Sequence, residues 1–306
     1  MSVVTRPLEV LARHAAIGVR FWDVSGATSL IDGLQVEVFP RANPRARKPM
    51  RPNRSAVYVG HAVSGLHDFE YSDTDPPALW ATAEAALRAC RIEVRDPFGR
   101  FLPIAFDADL PQAGLFRWNA PWFSPPQPIV LPGSSGSPPQ LMLERIPLFS
   151  APGRPLPDAL AVVYAQMREP VTQRPAAWAC LGVSIEGRRC GVGLADAQGR
   201  VAVMFPYPEP PRRALASPPE ARSDFSWPAE LEVFWSLPPS PPLPPPPVPE
   251  IADLAQVLAQ LDTPGTVHDS VSSPAAIRRL EYRVPLTARA FGASPSDASW
   301  LLVSAA

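Results

Sequence analysis

The residues that invite a chemical reading come first. His67-Asp68-Phe69-Glu70 has the His-x-x-Glu spacing of a zinc site. A catalytic zinc takes three protein ligands and keeps an open position, and the remaining histidines are His14, His61 and His268. Read as part of a strand over 66–71, His67 and Glu70 are three apart and point to opposite faces, so they do not chelate together. Ser184 sits in Gly182-Val183-Ser184-Ile185-Glu186, where a nucleophile elbow would have glycine at 186 and a helix to follow. Here glutamate and a strand stand in those places. Asp107 and Asp109 share one strand face, whereas paired acid/base carboxylates flank a substrate from different elements. Two solvated strand-end carboxylates are the simpler reading. Neither a Gly-rich phosphate loop nor a Cys-x-x-Cys pair occurs. The expectation is a protein without catalytic residues, metal or cofactor.

Three cysteines, an odd number, do not form a disulfide framework. Glu186-Gly187-Arg188 reads as a hairpin turn between Cys180 and Cys190. That turn sets Cys190 opposite about residue 185, which leaves Cys180 roughly 16 Å along the strand and beyond disulfide reach. Reduced, buried thiols are expected.

The elements that would position these residues are short strands. The chain has 306 residues, 46% of them hydrophobic, with 43 prolines and 17 glycines. Proline breaks helix interiors and cannot donate to a β-ladder, so this content favours many turns and short strands. A net charge of −1 gives no electrostatic reason to expect nucleic acid. No apolar run approaches the ~20 residues that span a bilayer, and the first twenty residues lack the apolar core of a secretory signal. A cytoplasmic location is the expectation. All basic residues but Lys48 are arginines.

The first domain is read over 1–148. Alternating segments over 17–22, 34–39, 56–59, 66–71, 92–94 and 101–106 predict strands, and Asp96-Pro97-Phe98-Gly99 a turn. Asp75, Pro76, Leu79, Ala83, Ala86 and Leu87 predict a helix. Residues 113–140 read as a Pro- and Trp-rich loop. The second domain, 149–306, repeats this grammar with strands over 159–164, 178–185, 189–194, 201–205 and 231–235, and closing strands over 280–286 and 300–303. A polyproline segment over 237–249 leads into a helix over 250–261, whose Ile251, Leu254, Ala255, Leu258 and Leu261 form an apolar stripe. The expected fold is all-β, two tandem β-sandwich domains with one or two short helices.

Two motifs recur. Asp96-x-x-Gly99-Arg100 precedes a strand ending at Phe106, and Asp196-x-x-Gly199-Arg200 one ending at Phe205. Residues 31–39 likewise resemble 157–164. The run from Gly153 to Ala159 and that from Ala195 to Val201, each with its following strand, resemble the carboxypeptidase-regulatory-like or transthyretin-like sandwich. The first half is similar through Thr28 to Phe39 and Asn53 to Leu66, but has Asn53-Arg54-Ser55-Ala56 where the family has an Asp-x-x-Gly turn. Two such halves around Asp96 to Pro103 also resemble proteins associated with phage-tail-like contractile injection systems. That resemblance implies an assembly partner and no functional residue.

The candidate partner-binding residues are Trp118, Trp122 and Phe123, which either cover a core edge or anchor a partner. Pro241, Pro242, Leu243 and Pro244 fit a polyproline-II ligand, with a stiff spacer as the plainer reading. Leu254 and Leu258 lie on the stripe that must bury against the second domain or a partner. The basic residues between Arg41 and Arg54 read as a solvated loop. The expected function is a non-enzymatic structural or adaptor subunit whose partners are protein subunits. The alternative is a carbohydrate- or peptide-binding module using Trp118, Trp122, Trp178 or Trp235 as platforms.

Overall fold

The computed structural model describes residues 13–26, 31–72, 78–80, 87–119, 129–130, 141–143, 145–209, 225–236, 247–270, 273–274, 277–290 and 300–305; for 118–119, 129–130, 141–143, 269–270 and 273–274 it describes backbone pairing alone. The fold is all-β, with sandwich-like sheets and short helical pieces. Among the described residues no helix is long and apolar enough to cross a membrane. Two compact units emerge, one from Met1–Arg20, Gln35–Val94 and Phe106–Ile146, the other from Phe21–Leu34, Arg95–Ala105 and Pro147–Ala306.

The first unit is built on β1 (Ile17–Asp23), β2 (Gln35–Pro40), β3 (Lys48–Pro52), β4 (Val57–Gly60), β5 (Arg88–Arg95) and β6 (Ile104–Leu110), in the order β1-β4-β3-β2-β5-β6. β1 alternates buried and half-buried positions along its whole length, the pattern of a strand with one face on a core. Within the tract expected to be a loop, β7 (Trp118–Asn119), β8 (Ile129–Val130) and β9 (Leu141–Leu143) pair in the order β7-β9-β8. These strands are too short to leave a period-2 signal among so many prolines. Of the helix expected after Asp75, residues 78–80 are helical and 81–86 lie outside the described residues; Leu87, placed on its apolar face, is exposed.

The segment over 66–71 is not a strand. His67–Glu70 is one helical turn, α1, closed by Glu70 N–H to Leu66 O and Tyr71 N–H to His67 O. Phe69 and Glu70 are both buried, where a strand with one face on a core would bury only one of the two. The Glu70 carboxylate holds the turn in place by accepting the Val63 N–H at 3.0 Å and the Arg13 guanidinium at 3.4 Å.

One turn recurs three times. The carbonyls of Asp96 and Asp196 accept the N–H of Gly99 and Gly199, and their carboxylates accept the backbone N–H two and four residues on, together with the following arginine's Nε. Both glycines have positive φ, 66° and 76°. Asn53 makes the same turn in the first unit. Its carbonyl accepts Ala56 N–H, and its side-chain oxygen accepts those of Ser55 and Val57. Ala56, at φ 54°, takes the glycine's place. The sequence that departs from Asp-x-x-Gly therefore keeps its geometry.

In the second unit, β10 (Ile146–Leu148), β11 (Leu160–Arg168), β12 (Cys180–Ile185), β13 (Arg188–Leu194), β14 (Arg200–Pro206) and β15 (Ser226–Phe234) precede the short β16 (Ala252–Asp253). A short helix follows, α2 (Leu254–Ala259), then β17 (Thr266–Ser270), β18 (Ser273–Pro274), β19 (Arg278–Glu281), β20 (Leu286–Ala288) and β21 (Leu301–Ser304). One sheet runs β14-β11-β21-β17-β18 with β20 also on β11, the other β13-β12-β15-β19. Side chains from both sheets, among them Met167, Leu181, Val203, Trp227, Leu280 and Leu301, share one core. β11 buries both faces, since Leu160 and Val162 join a second cluster with Met204. That explains its unbroken apolar run. The closing segment expected over 280–286 is divided by a turn into β19 and β20.

The expected helix begins at Leu254, capped by the Asp253 carboxylate on the N–H of Ala255 and Gln256. Its buried positions are Leu254, Val257 and Leu258, continued by Leu261, whereas Ala255 is exposed. The stripe is thus rotated by part of a turn from the one read in the sequence. Its apolar positions are buried in the folded chain. The helix and Ser236 border one hollow.

The non-contiguous parts of this unit meet at a buried ion pair. Arg154 donates to both oxygens of Asp23, at 2.8 and 3.2 Å, and to Ser150 Oγ at 2.9 Å, with its guanidinium 4.8 Å from the Phe101 ring centroid. Asp23 also accepts Ser25 N–H and Oγ–H.

Two predictions follow from these contacts, both read from urea denaturation midpoints. Asp23→Asn leaves a buried guanidinium without its counter-charge and is expected to cost about 3–5 kcal/mol, part of which the double change Asp23→Leu with Arg154→Met restores. A cost for Asp23→Asn below about 1 kcal/mol, the level of an exposed pair, contradicts the assignment. Among the turns, Ala56→Gly is expected to stabilise by relieving a left-handed alanine. Gly99→Ala, with open space at the new Cβ, should cost about 1 kcal/mol. Gly199→Ala should cost more, because its Cβ presses on the Met167 carbonyl. Equal losses at 99 and 199 would remove the packing argument.

Candidate functional site

The first unit presents a cleft of about 570 Å³ along β6. Asp107 and Asp109 project from one face of that strand, as their spacing implies, and both are exposed. Asp107 is held between two arginines, Arg41 at 3.3 Å and Arg91 at 3.2 Å. Among the described residues Asp109 has no ion-pair partner. Ala89 lines the same cleft, and its carbonyl accepts the Arg41 N–H at 3.0 Å, which fixes the backbone carrying that guanidinium. Trp80, Leu87, Pro111 and Phe116 supply apolar wall, and Gln112 a carboxamide. Trp80 itself rests edge-on against Phe69 at 4.9 Å between centroids.

A second hollow, of about 430 Å³, lies in the second unit between α2 and the residues around Trp178 and Trp235. Trp178 has φ 58°, a conformation few bulky residues adopt. Two hydrogen bonds hold it there. Its indole N–H donates to Pro249 O at 3.1 Å, and its own carbonyl accepts Gln260 Nε2–H at 2.7 Å. Two of the four tryptophans considered as platforms are thereby brought together. The backbone of Trp118 pairs with that of Leu143. Trp122, Phe123, Pro241, Pro242, Leu243 and Pro244 lie outside the described residues. Leu254 and Leu258 are buried.

The residues of the possible catalytic motifs are not assembled. His67 is exposed, while the Glu70 carboxylate is fully buried and engaged by Val63 and Arg13. Helical spacing would put the pair on one face, so it is this prior engagement, not strand geometry, that separates them. Among the described residues no three His, Cys, Asp or Glu side chains gather to hold a metal. Ser184 is buried within β12. The basic loop is partly used. Arg47 bonds Glu37 and Glu93 and lies 4.2 Å from the Phe39 ring centroid, while Arg41 turns to Asp107. Trp80, Arg41 and Gln112 were not singled out as site residues by sequence reasoning. Only their meeting with Asp109 marks them, and no local pattern announces it.

All three cysteines are free. A bulge between Val183 and Ser184 places Cys190 opposite that step, not opposite residue 185, and Cys180 pairs with Leu194. Burial pushes the Cys180 thiol up to about 12 and that of Cys90 to about 11, and it raises Cys190 as well.

No protein-family model, curated protein or solved structure matches the chain.

The thiols give a direct check on the packing. An unfolded chain releases these protons near pH 9.0, while the folded chain holds that of Cys180 to about 12. The contribution to stability is therefore full below pH 9.0 and declines as pH rises toward 12. In mildly alkaline buffer iodoacetamide is expected to modify Cys190 first and to leave Cys90 and Cys180 intact until urea unfolds the chain. Rapid labelling of Cys180 in the folded protein would contradict its burial.

Proposed function

We propose that this chain is a non-enzymatic structural or adaptor subunit of a multi-protein assembly. The observation that carries the reading is the use made of its charged groups. Asp23, Glu70, Asp96 and Asp196 are each tied to backbone N–H groups and to an arginine, and Asp107 is clasped by two. Such groups define turns and fasten segments, which suits a rigid frame. The sandwich-like sheets support a transthyretin-like or carboxypeptidase-regulatory-like reading of the halves. The resemblance to contractile-injection proteins suggests which assembly to test first, a phage-tail-like particle.

A second reading, a carbohydrate- or peptide-binding module, is favoured by the two surface hollows, each with tryptophan in its wall.

The adaptor reading is tested by co-expressing the full chain with the products of the genes beside its own. Size-exclusion chromatography with light scattering is expected to show a stoichiometric complex with at least one of them. The chain alone should release no product from chromogenic ester, glycoside and peptide substrates. A chain that joins none of these proteins, or that turns over any of these substrates, overturns the reading.

A further inference from the structure

The cleft of the first unit combines features that select one class of ligand, and we infer that it binds a neutral saccharide. Arg41 and Arg91 both bond Asp107 and neutralise it, and Asp109 is the lining carboxylate left without an ion-pair partner among the described residues. An anionic ligand would meet a free carboxylate at Asp109, and a cationic one would meet Arg41, whose side chain is 61% exposed. An uncharged ligand rich in hydroxyl groups meets neither penalty. Its hydroxyls donate to Asp109 and accept from Arg41 or Gln112, since a hydroxyl does both while a carboxylate only accepts and a guanidinium only donates.

The shape and wall agree with this class. Carboxylate, guanidinium and carboxamide are planar groups that engage neighbouring hydroxyls in pairs, and bonds to the charged members are the stronger ones. Trp80 and the half-exposed Leu87, backed by the buried Pro111 and Phe116, give an apolar surface for the C–H side of a sugar ring. A volume of about 570 Å³ lies within the usual range for small-ligand sites. Asp109 stands on the regular strand β6 and Arg41 is tied to Ala89, so the polar groups are positioned before a ligand arrives. This assignment rests on the binding-module reading and is independent of the adaptor role.

The experiment uses the full chain against immobilised neutral cello-, xylo-, malto-, manno- and chito-oligosaccharides, followed by titration calorimetry with those that bind. At least one is expected to bind. Asp109→Asn and Gln112→Ala should each weaken it by about tenfold, the scale of one hydrogen bond involving a charged or buried group. The thermal midpoint should stay unchanged in both variants. Binding that survives both substitutions places the saccharide elsewhere, for instance between Trp178 and Trp235; it overturns this site while leaving the binding-module reading intact. Absence of binding to every one of these oligosaccharides overturns the proposal outright, as does preference for basic peptides that Asp109→Asn abolishes. None of these outcomes bears on complex formation with neighbouring gene products.

Discussion

The buried ion pair between Arg154 and Asp23 is the contact on which the second unit most depends. The two residues are 131 positions apart, and their side chains are 7% and 0% exposed. Two charges withdrawn from water are tolerated only when their remaining hydrogen-bonding capacity is met. Here it is met from several directions. Ser25 supplies N–H and O–H to Asp23, Ser150 accepts from Arg154, and the Phe101 ring lies under the guanidinium. These partners come from the 21–34, 95–105 and post-147 segments, the three pieces of chain that make up the unit. Backbone pairing at the same place adds Leu102 to Phe149 and Ala151 to Arg100. A mismatch here would leave an unpaired charge in the interior, so the arrangement specifies one assembly of segments as well as stabilising it.

The repeated turn works by the same physics on a smaller scale. A side-chain oxygen collects two backbone N–H groups that a tight reversal leaves without strand partners. At Asp96 burial by itself would raise the carboxyl. The Arg100 guanidinium and the N–H groups of Arg100 and Phe98 outweigh it and hold the group below the ordinary carboxylate range. The net effect is to favour the ionised, turn-closing form and to weaken it only in acid. Asn53 closes its turn with no charge at all. The geometry therefore needs an acceptor of the right length, and the charge adds strength.

How much was legible follows from the range of each interaction. β1 shows in the sequence through its period-2 burial, β11 and β14 through apolar runs, and the β12–β13 hairpin through its turn residues, all of them local signals. So does the capped helix at Leu254, although its buried face was assigned to Ala255 where the fold uses Val257. Residues 66–71 were misread because the contacts that curl them into a helical turn come from Val63 and Arg13. The paired aspartates of β6 were legible as a face, but their environment was not. Arg41, Trp80 and Gln112 come from three separate stretches of chain, and nothing near any of them in sequence foretells the cleft. Nothing local marks Arg154 for the same reason. Its partner is far along the chain, and composition carries no record of it.

The division of labour among charged residues connects scaffold to function. A carboxylate that closes a turn or balances a buried guanidinium is held by several bonds, and releasing it to meet a substrate would loosen the fold. Asp23, Glu70, Asp96 and Asp196 are in that position. Asp109 is not: it stands on a rigid strand, open to solvent, next to residues whose own bonds fix them. A group free of structural duty on a frame that does not yield can form a bond with a ligand without first breaking one. That asymmetry, and not the number of charges, is what separates the cleft of the first unit from the rest of this charged, turn-rich surface.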